Sequence, residues 1–312
     1  MVSEVQRAGE LAAELLGVRA SRVTPIRHGN WSRAYLVVGN RVPYVLRLST
    51  TGRNFQKDQW IARIALGSRV RVPQILRAGQ CGGLYYSLAE WLPGRSLDSF
   101  GSLGLRLVVP RLLRVLDSLR DIVIEGTSGY GDWGAFGVAP HGSWQEYLVS
   151  AGRDEWDDAV QGWHEELAKF REALSRYEAA YRVMCNLSRF CPEVRHLIHG
   201  DLLNHNLVVT ADFDIGLLDW GWSKFGDPLY DIARLCFWQY RFPRWRRVDI
   251  QSASQLHMLE KHVDMSNFRE RLACYQIHAG LLSQQHLARR GRWRVLYEVG
   301  ERTLAVADAY DV

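Results

Sequence analysis

With 312 residues, 47% of them hydrophobic, the chain has the length for one large domain or two lobes and the composition for a sizeable core. It holds no run of about 18 apolar residues and no apolar leader at its N-terminus, so neither a membrane span nor secretion is expected. Five widely spaced cysteines without a Cys-x-x-Cys pair argue against a zinc site or a disulfide framework and fit a reducing cytoplasm. The net charge of +5, with basic runs at 241–247 and 289–294, reads as solvated faces, and nucleic acid is not expected as a partner.

Residues 3–16 read as an amphipathic helix capped by Ser3 and ended by Gly17, with Val5, Ala8, Leu11, Ala12 and Leu15 on one stripe. Three β-type runs follow at 23–26, 34–38 and 42–48, the last two joined by a turn at Gly39-Asn40. Residues 55–66 look helical. A turn at Cys81-Gly82-Gly83 precedes a strand over 84–91, which Pro93-Gly94 ends. A leucine stripe at Leu112, Leu113, Leu116 and Leu119 predicts a helix with Pro110 at its start. Residues 126–143 read as a loop, and helices are expected over 143–151, 155–185, 231–241 and 267–309.

The chemistry concentrates in His199-Gly200-Asp201, then Asn206 before the apolar run Leu207-Val208-Val209, then Asp219 at the end of a second apolar run, Ile215 to Leu218. A carboxylate able to orient and deprotonate a hydroxyl, followed by a carboxamide and a carboxylate with hard oxygens suited to Mg²⁺, points to phosphoryl transfer. This ordered set resembles the aminoglycoside phosphotransferase family, the small-molecule branch of the kinase-like fold. Gly226-Asp227-Pro228-Leu229-Tyr230-Asp231 continues the resemblance. The runs Cys191 to His199 and Phe225 to Trp238, with Tyr44-Val45-Leu46-Arg47, look most like the hygromycin B phosphotransferases within it.

The resemblance implies an α+β, bilobal, protein-kinase-like fold. An N-terminal antiparallel β-sheet lobe with helices, residues 1–92, would bind nucleotide, and a larger, mainly helical C-terminal lobe, residues 93–312, would hold catalysis and substrate. It implies Asp201 as the catalytic carboxylate, His199 as a supporting histidine, and Asn206 and Asp219 as ligands of Mg²⁺. The loop 27–33, through Ser32 or amides beside it, would cover the phosphates of ATP or GTP. Arg47 stands where kinases carry a phosphate-binding lysine; its guanidinium still pairs with phosphate oxygens, and Asp58 is the nearest acid to orient it. Ala89 and Trp91 would meet the adenine through hinge backbone. Asn204, His205 and Trp238 would touch the substrate, and Asp154, Glu155, Asp157 and Asp158 would add negative charge for a polycation. Asp227 and Asp231 read as loop-fixing and helix-start groups.

The expected activity moves the γ-phosphoryl group to a hydroxyl of an aminoglycoside or aminocyclitol, hygromycin B first, by a cytoplasmic monomer or weak homodimer. The alternatives are a kinase of a macrolide or small metabolite alcohol and a non-catalytic nucleotide-binding module. A protein kinase is disfavoured, because only eleven residues separate Asp219 from Asp231, too few for a long peptide-docking segment.

Overall fold

The structure, a computed structural model, describes residues 3–26, 32–134, 137–153 and 160–310, with every side chain in those spans except those of Asp98 and Asn204. Its elements are α1 (Glu4–Leu16), β1 (Ala20–Ile26), β2 (Arg33–Gly39), β3 (Val42–Ser49), α2 (Arg53–Ile64), β4 (Ile75–Cys81), β5 (Leu84–Glu90), β6 (Arg95–Ser96), α3 (Ser102–Arg120) and β7 (Gly131–Asp132). They continue with α4 (Trp144–Ser150), α5 (Trp163–Ala168), α6 (Arg171–Ser188), β8 (His196–Ile198), β9 (Leu207–Val209), β10 (Ile215–Leu217) and β11 (Lys224–Gly226). Helices α7 (Leu229–Trp238), α8 (Ile250–Glu260), α9 (Phe268–Arg289) and α10 (Trp293–Ala307) complete the chain. The described residues form two compact units. The first takes those of 1–99 with Gly134 and 204–222, and the second takes those of 100–133, 137–203 and 223–310.

In the first unit a five-stranded antiparallel sheet runs in the order β1-β2-β3-β5-β4. Helix α1 begins where Ser3 Oγ accepts the amide of Gln6 at 3.2 Å and ends at Gly17, whose φ is +65°. Its stripe buries Ala8 and Ala12 against Tyr35, Val37, Leu46 and Leu88 of the sheet. The β2–β3 turn lies one residue later than expected. Gly39 pairs with Val42 inside the ladder, so the turn residues are Asn40 and Arg41, with φ of 49° and 65°. Gly39 serves the packing of the strand end and not the turn: a Cβ there would meet Leu16 and Val18 at 3.1 and 3.2 Å. A second sheet, β10-β9-β6, also belongs to this unit.

The second unit is mainly helical, with one small sheet in the order β7-β11-β8. Pro110 lies inside α3, not at its start. The buried row Leu105, Val108, Val109, Leu112, Leu113, Leu116 and Leu119 carries the helix through the missing N–H, a case of packing outweighing a local break. The long helix expected over 155–185 is instead α5 and α6, parted at Lys169-Phe170, and the one over 267–309 is α9 and α10, parted near Gly291 with φ +62°. Helix α7 spans Leu229–Trp238 and passes into a 3-10 turn over Gln239–Arg241. Trp133 of the glycine-rich loop is 1% exposed and stacks on Phe225 at 5.6 Å, so it fills core. All five cysteines are free thiols, and no described helix is long and apolar enough to cross a membrane.

Asp227 anchors the start of α7. Its Oδ1 accepts the Leu229 amide at 3.1 Å, and its Oδ2 accepts Arg271 Nη2 at 2.9 Å and Tyr275 Oη at 2.7 Å. Both charged side chains of the pair are buried, at 2% and 5% exposure. Removing one partner of such a pair leaves the other charge uncompensated, so Asp227→Ala is expected to cost about 3–5 kcal/mol. Thermal or urea denaturation measures this; an unchanged midpoint would contradict the anchoring role.

Candidate active site

The hairpin β9–β10 explains why a carboxamide and a carboxylate thirteen residues apart in sequence end up together. Leu207 pairs with Leu217, and the Leu218 amide donates to the Asn206 carbonyl at 2.9 Å. Asn206 therefore lies just before one strand and Asp219 just after the other, at the same end of the ladder. Leu207, Val209, Ile215 and Leu217 are buried and hold that ladder in place. Asp219 has φ +61°, a left-handed conformation that aspartate tolerates better than most residues. Two hard oxygen donors at one hairpin end suit Mg²⁺, which takes one or two protein ligands and fills the rest of its octahedron with water and phosphate.

Helix α2 fixes the chain just beyond. Asp58 Oδ1 accepts the Trp220 amide at 3.0 Å, and Lys57 Nζ donates to the Gly221 carbonyl at 3.1 Å. Asp58 and Lys57 are both buried, on the face of α2 that also buries Phe55, Ile61 and Ala62. On β3, Arg47 donates from Nη1 to Asp58 Oδ2 at 2.6 Å, from Nη2 to Asp219 Oδ1 at 3.3 Å and from Nε to Ser32 Oγ at 3.2 Å. Burial works to lower the pKa of this guanidinium, but the charges of Asp219 and Asp58 outweigh it and hold it above its ordinary value. Arg47 is thus a fixed cation at the carboxylate that ends the hairpin. Ala89 sits in β5 between Val45 of β3 and Ile75 of β4, and Trp91 follows the strand at 37% exposure. Residues 27–31 of the loop before Ser32 lie outside the described residues.

Asp201 belongs to the second unit. Asp231, in the first turn of α7, accepts the amides of His199 at 2.9 Å and Gly200 at 2.7 Å. Burial pushes the Asp231 carboxyl above the usual carboxylate range, against the pull of His199 and those two amides. Gly200 turns the chain with φ +76°, and the Asp201 amide points to Nδ1 of the fully buried His199 at 3.3 Å. The Asp201 carboxylate meets a group that the sequence reading missed: Arg234 Nη2 donates to Oδ1 at 2.6 Å. Burial acts to lower the Arg234 pKa, and Asp201 together with the Tyr230 hydroxyl reverses that effect. Asn204 opens the 3-10 turn Asn204–Asn206, and His205 within it is exposed. Trp238, at the far end of α7, stacks on Tyr240 at 6.4 Å and meets the edge of Phe237 at 5.3 Å. The acidic cluster Asp154, Glu155, Asp157 and Asp158 lies outside the described residues.

A sheet-borne arginine held by a helix acid, an amide–carboxylate pair at a hairpin end and a carboxylate set after a His-Gly turn are the parts of a kinase-like phosphotransferase. The chain belongs to the phosphotransferase enzyme family, which it matches over residues 22–270. It is 27% identical over 221 residues to the hygromycin-B 4-O-kinase of Escherichia coli, a match covering 70% of this chain and 63% of that relative's length. Its fold is that of the aminoglycoside phosphotransferase APH(4)-Ia. A thermostable mutant of that protein in ternary complex with ADP and hygromycin B superposes with a TM-score of 0.84 at 21% identity, covering 97% of this chain and 99% of the other. A crystal structure of APH(4)-Ia itself gives 0.80 at 20% identity, over 96% and 97% of the two chains.

Arg47→Ala is expected to raise the KM for ATP, and Arg47→Lys to restore part of the loss, because both are cations but only arginine offers two parallel donors. Steady-state kinetics against ATP check this; unchanged nucleotide kinetics in Arg47→Ala would reduce Arg47 to a structural strand residue.

Proposed function

We propose that this protein transfers the γ-phosphoryl group of ATP, or GTP, to a hydroxyl of an aminoglycoside, with hygromycin B the first candidate. The observation that carries the reading is Arg47, bonded at once to Asp58 of α2 and to Asp219 at the hairpin end shared with Asn206. Such a cation beside a metal-type carboxylate is what a nucleotide triphosphate requires. The relative that shares 27% identity is a hygromycin-B kinase, which supports the substrate.

In this reading residues 1–92 serve the nucleotide and residues 93–312 serve catalysis and acceptor. Arg47 pairs with phosphate oxygens, Ser32 lies beside it, and Asp58 keeps it in place. The backbone at Ala89 and Trp91 receives the base. Asn206 and Asp219 would hold Mg²⁺, whose charge neutralises the phosphates. Asp201 accepts the proton of the acceptor hydroxyl or aims that hydroxyl in line. Asn204, His205 and Trp238 would contact the acceptor. The setting is the cytoplasm, where ATP and the antibiotic meet.

The test is a nucleotide-consumption screen with Mg²⁺ against aminoglycosides, macrolides and small amino alcohols, together with expression in a hygromycin-sensitive bacterium. Turnover with hygromycin B and protection of the cells are expected. Turnover only with a macrolide or a metabolite alcohol would move the substrate and keep the chemistry. No nucleotide turnover with any acceptor would favour the binding-module alternative.

A further inference from the structure

We infer that Arg234 is a positioning residue for Asp201, an inference that rests on the phosphotransferase reading above. Helix α7 fixes Asp201 twice. Asp231 holds the backbone immediately before it, through the amides of His199 and Gly200 at 2.9 and 2.7 Å. Arg234, three residues further along and hence on a neighbouring part of the same helix face, holds the side chain through Nη2 to Oδ1 at 2.6 Å. Backbone and carboxylate are thereby referenced to one element. That element is rigid for a plain reason: every residue from Leu229 to Phe237 is buried, so α7 cannot shift without disturbing the core around it.

The pair is itself sheltered, with 8% of the Arg234 side chain and 15% of the Asp201 side chain exposed. An exposed ion pair would constrain little, whereas a short charge-assisted bond from a largely buried guanidinium is strong and directional. The guanidinium reaches the carboxylate through one bond, Nη2 to Oδ1, which fixes the position of that oxygen as well as supplying a charge. Orientation is what this step demands. As the acceptor oxygen bonds to the γ-phosphorus and the bond from phosphorus to the bridging oxygen breaks, the hydroxyl proton passes to the Asp201 carboxylate. Arg234 moves no proton and touches no reacting atom; it sets the direction from which the carboxylate meets the hydroxyl.

The test compares the parent protein with Arg234→Met and Arg234→Lys, using Mg-ATP with hygromycin B as acceptor and, independently of acceptor, slow Mg-ATP hydrolysis by water. A carboxylate displaced by about 1 Å costs on the order of 10²-fold. The expected order of kcat is parent, then Lys, then Met, with Met about 10²-fold below the parent and the KM for ATP unchanged in both variants. Arg234→Lys keeps the charge and guards against a Met variant that fails to fold. The inference is overturned if folded Arg234→Met turns over within about threefold of the parent, if Lys matches the parent, or if the loss falls on the KM for ATP and the melting temperature while kcat holds. A parent that consumes no nucleotide fails the phosphotransferase reading; an active parent with an indifferent Arg234 overturns only this inference.

Discussion

Asp201→Asn is expected to leave the protein folded, with a lowered melting temperature because the buried Arg234 loses the charge of its partner, and to lower kcat by about 10²–10⁴-fold. The substitution is isosteric, and the Asp201 contacts that fix the backbone do not involve its carboxylate. Asp231 still takes the amides of His199 and Gly200, and the Leu203 amide still donates to the Asp201 carbonyl at 2.7 Å. What is lost is the acceptor for the hydroxyl proton. The loss should therefore appear in kcat and in kcat/KM alike, as for an interaction made in the transition state. A folded variant with near-parental turnover would remove Asp201 from the mechanism.

The second large effect is expected at the hairpin end. Asp219→Ala should lower Mg²⁺-supported turnover by about 10³-fold, the equivalent of several kcal/mol of charge stabilisation. It should not recover at high Mg²⁺. Arg47 loses one of its two acid partners in this variant but keeps Asp58 at 2.6 Å, so the sheet and α2 should stay together. Asp219→Asn, which keeps shape and removes charge, separates metal binding from packing: it should show most of the same loss with the melting temperature of the parent. Parental turnover of Asp219→Ala at limiting Mg²⁺ would dismiss the metal assignment.

How much of this was legible in the sequence varied with the distance over which the physics acts. The hairpin pair was legible because two short apolar runs of matched length, joined by a turn and paired end to end, place the residue before the first and the residue after the second at the same end of the ladder. The Arg47–Asp58 pair was legible because a strand followed closely by a helix leaves few acids within reach, although Asp219, the other partner of Arg47, lies 172 residues away. Arg234 was not legible. It stands in an otherwise apolar run, Ile232 to Trp238, and its partner is 33 residues earlier in the chain. The available signal was a charge three residues after Asp231 on the same helix, in a segment too apolar to leave a charge unpaired.

The helices show the same division. Helix α1 was readable end to end because cap, stripe and terminal glycine agree. Helix α8 was missed because its sequence is polar and buries only Ile250, Ser254 and Met258. Pro110 suggested a helix start because proline favours the first turn, yet a long buried leucine and valine row carried α3 on both sides of it. The continuous helical patterns over 155–185 and 267–309 hid breaks that a single turn makes, at Lys169-Phe170 and near Gly291.

The central claim is that this chain phosphorylates an aminoglycoside hydroxyl, and mass spectrometry of the antibiotic tests it most directly. Purified protein incubated with hygromycin B and Mg-ATP should add one phosphoryl group to the antibiotic, with stoichiometric ADP, and Asp201→Asn should leave it unmodified over the same period. Hygromycin B recovered unmodified from the parent reaction, while a macrolide or a small alcohol gains the phosphoryl group, would contradict the aminoglycoside assignment; no phosphorylated acceptor and no ADP would contradict the phosphotransferase itself.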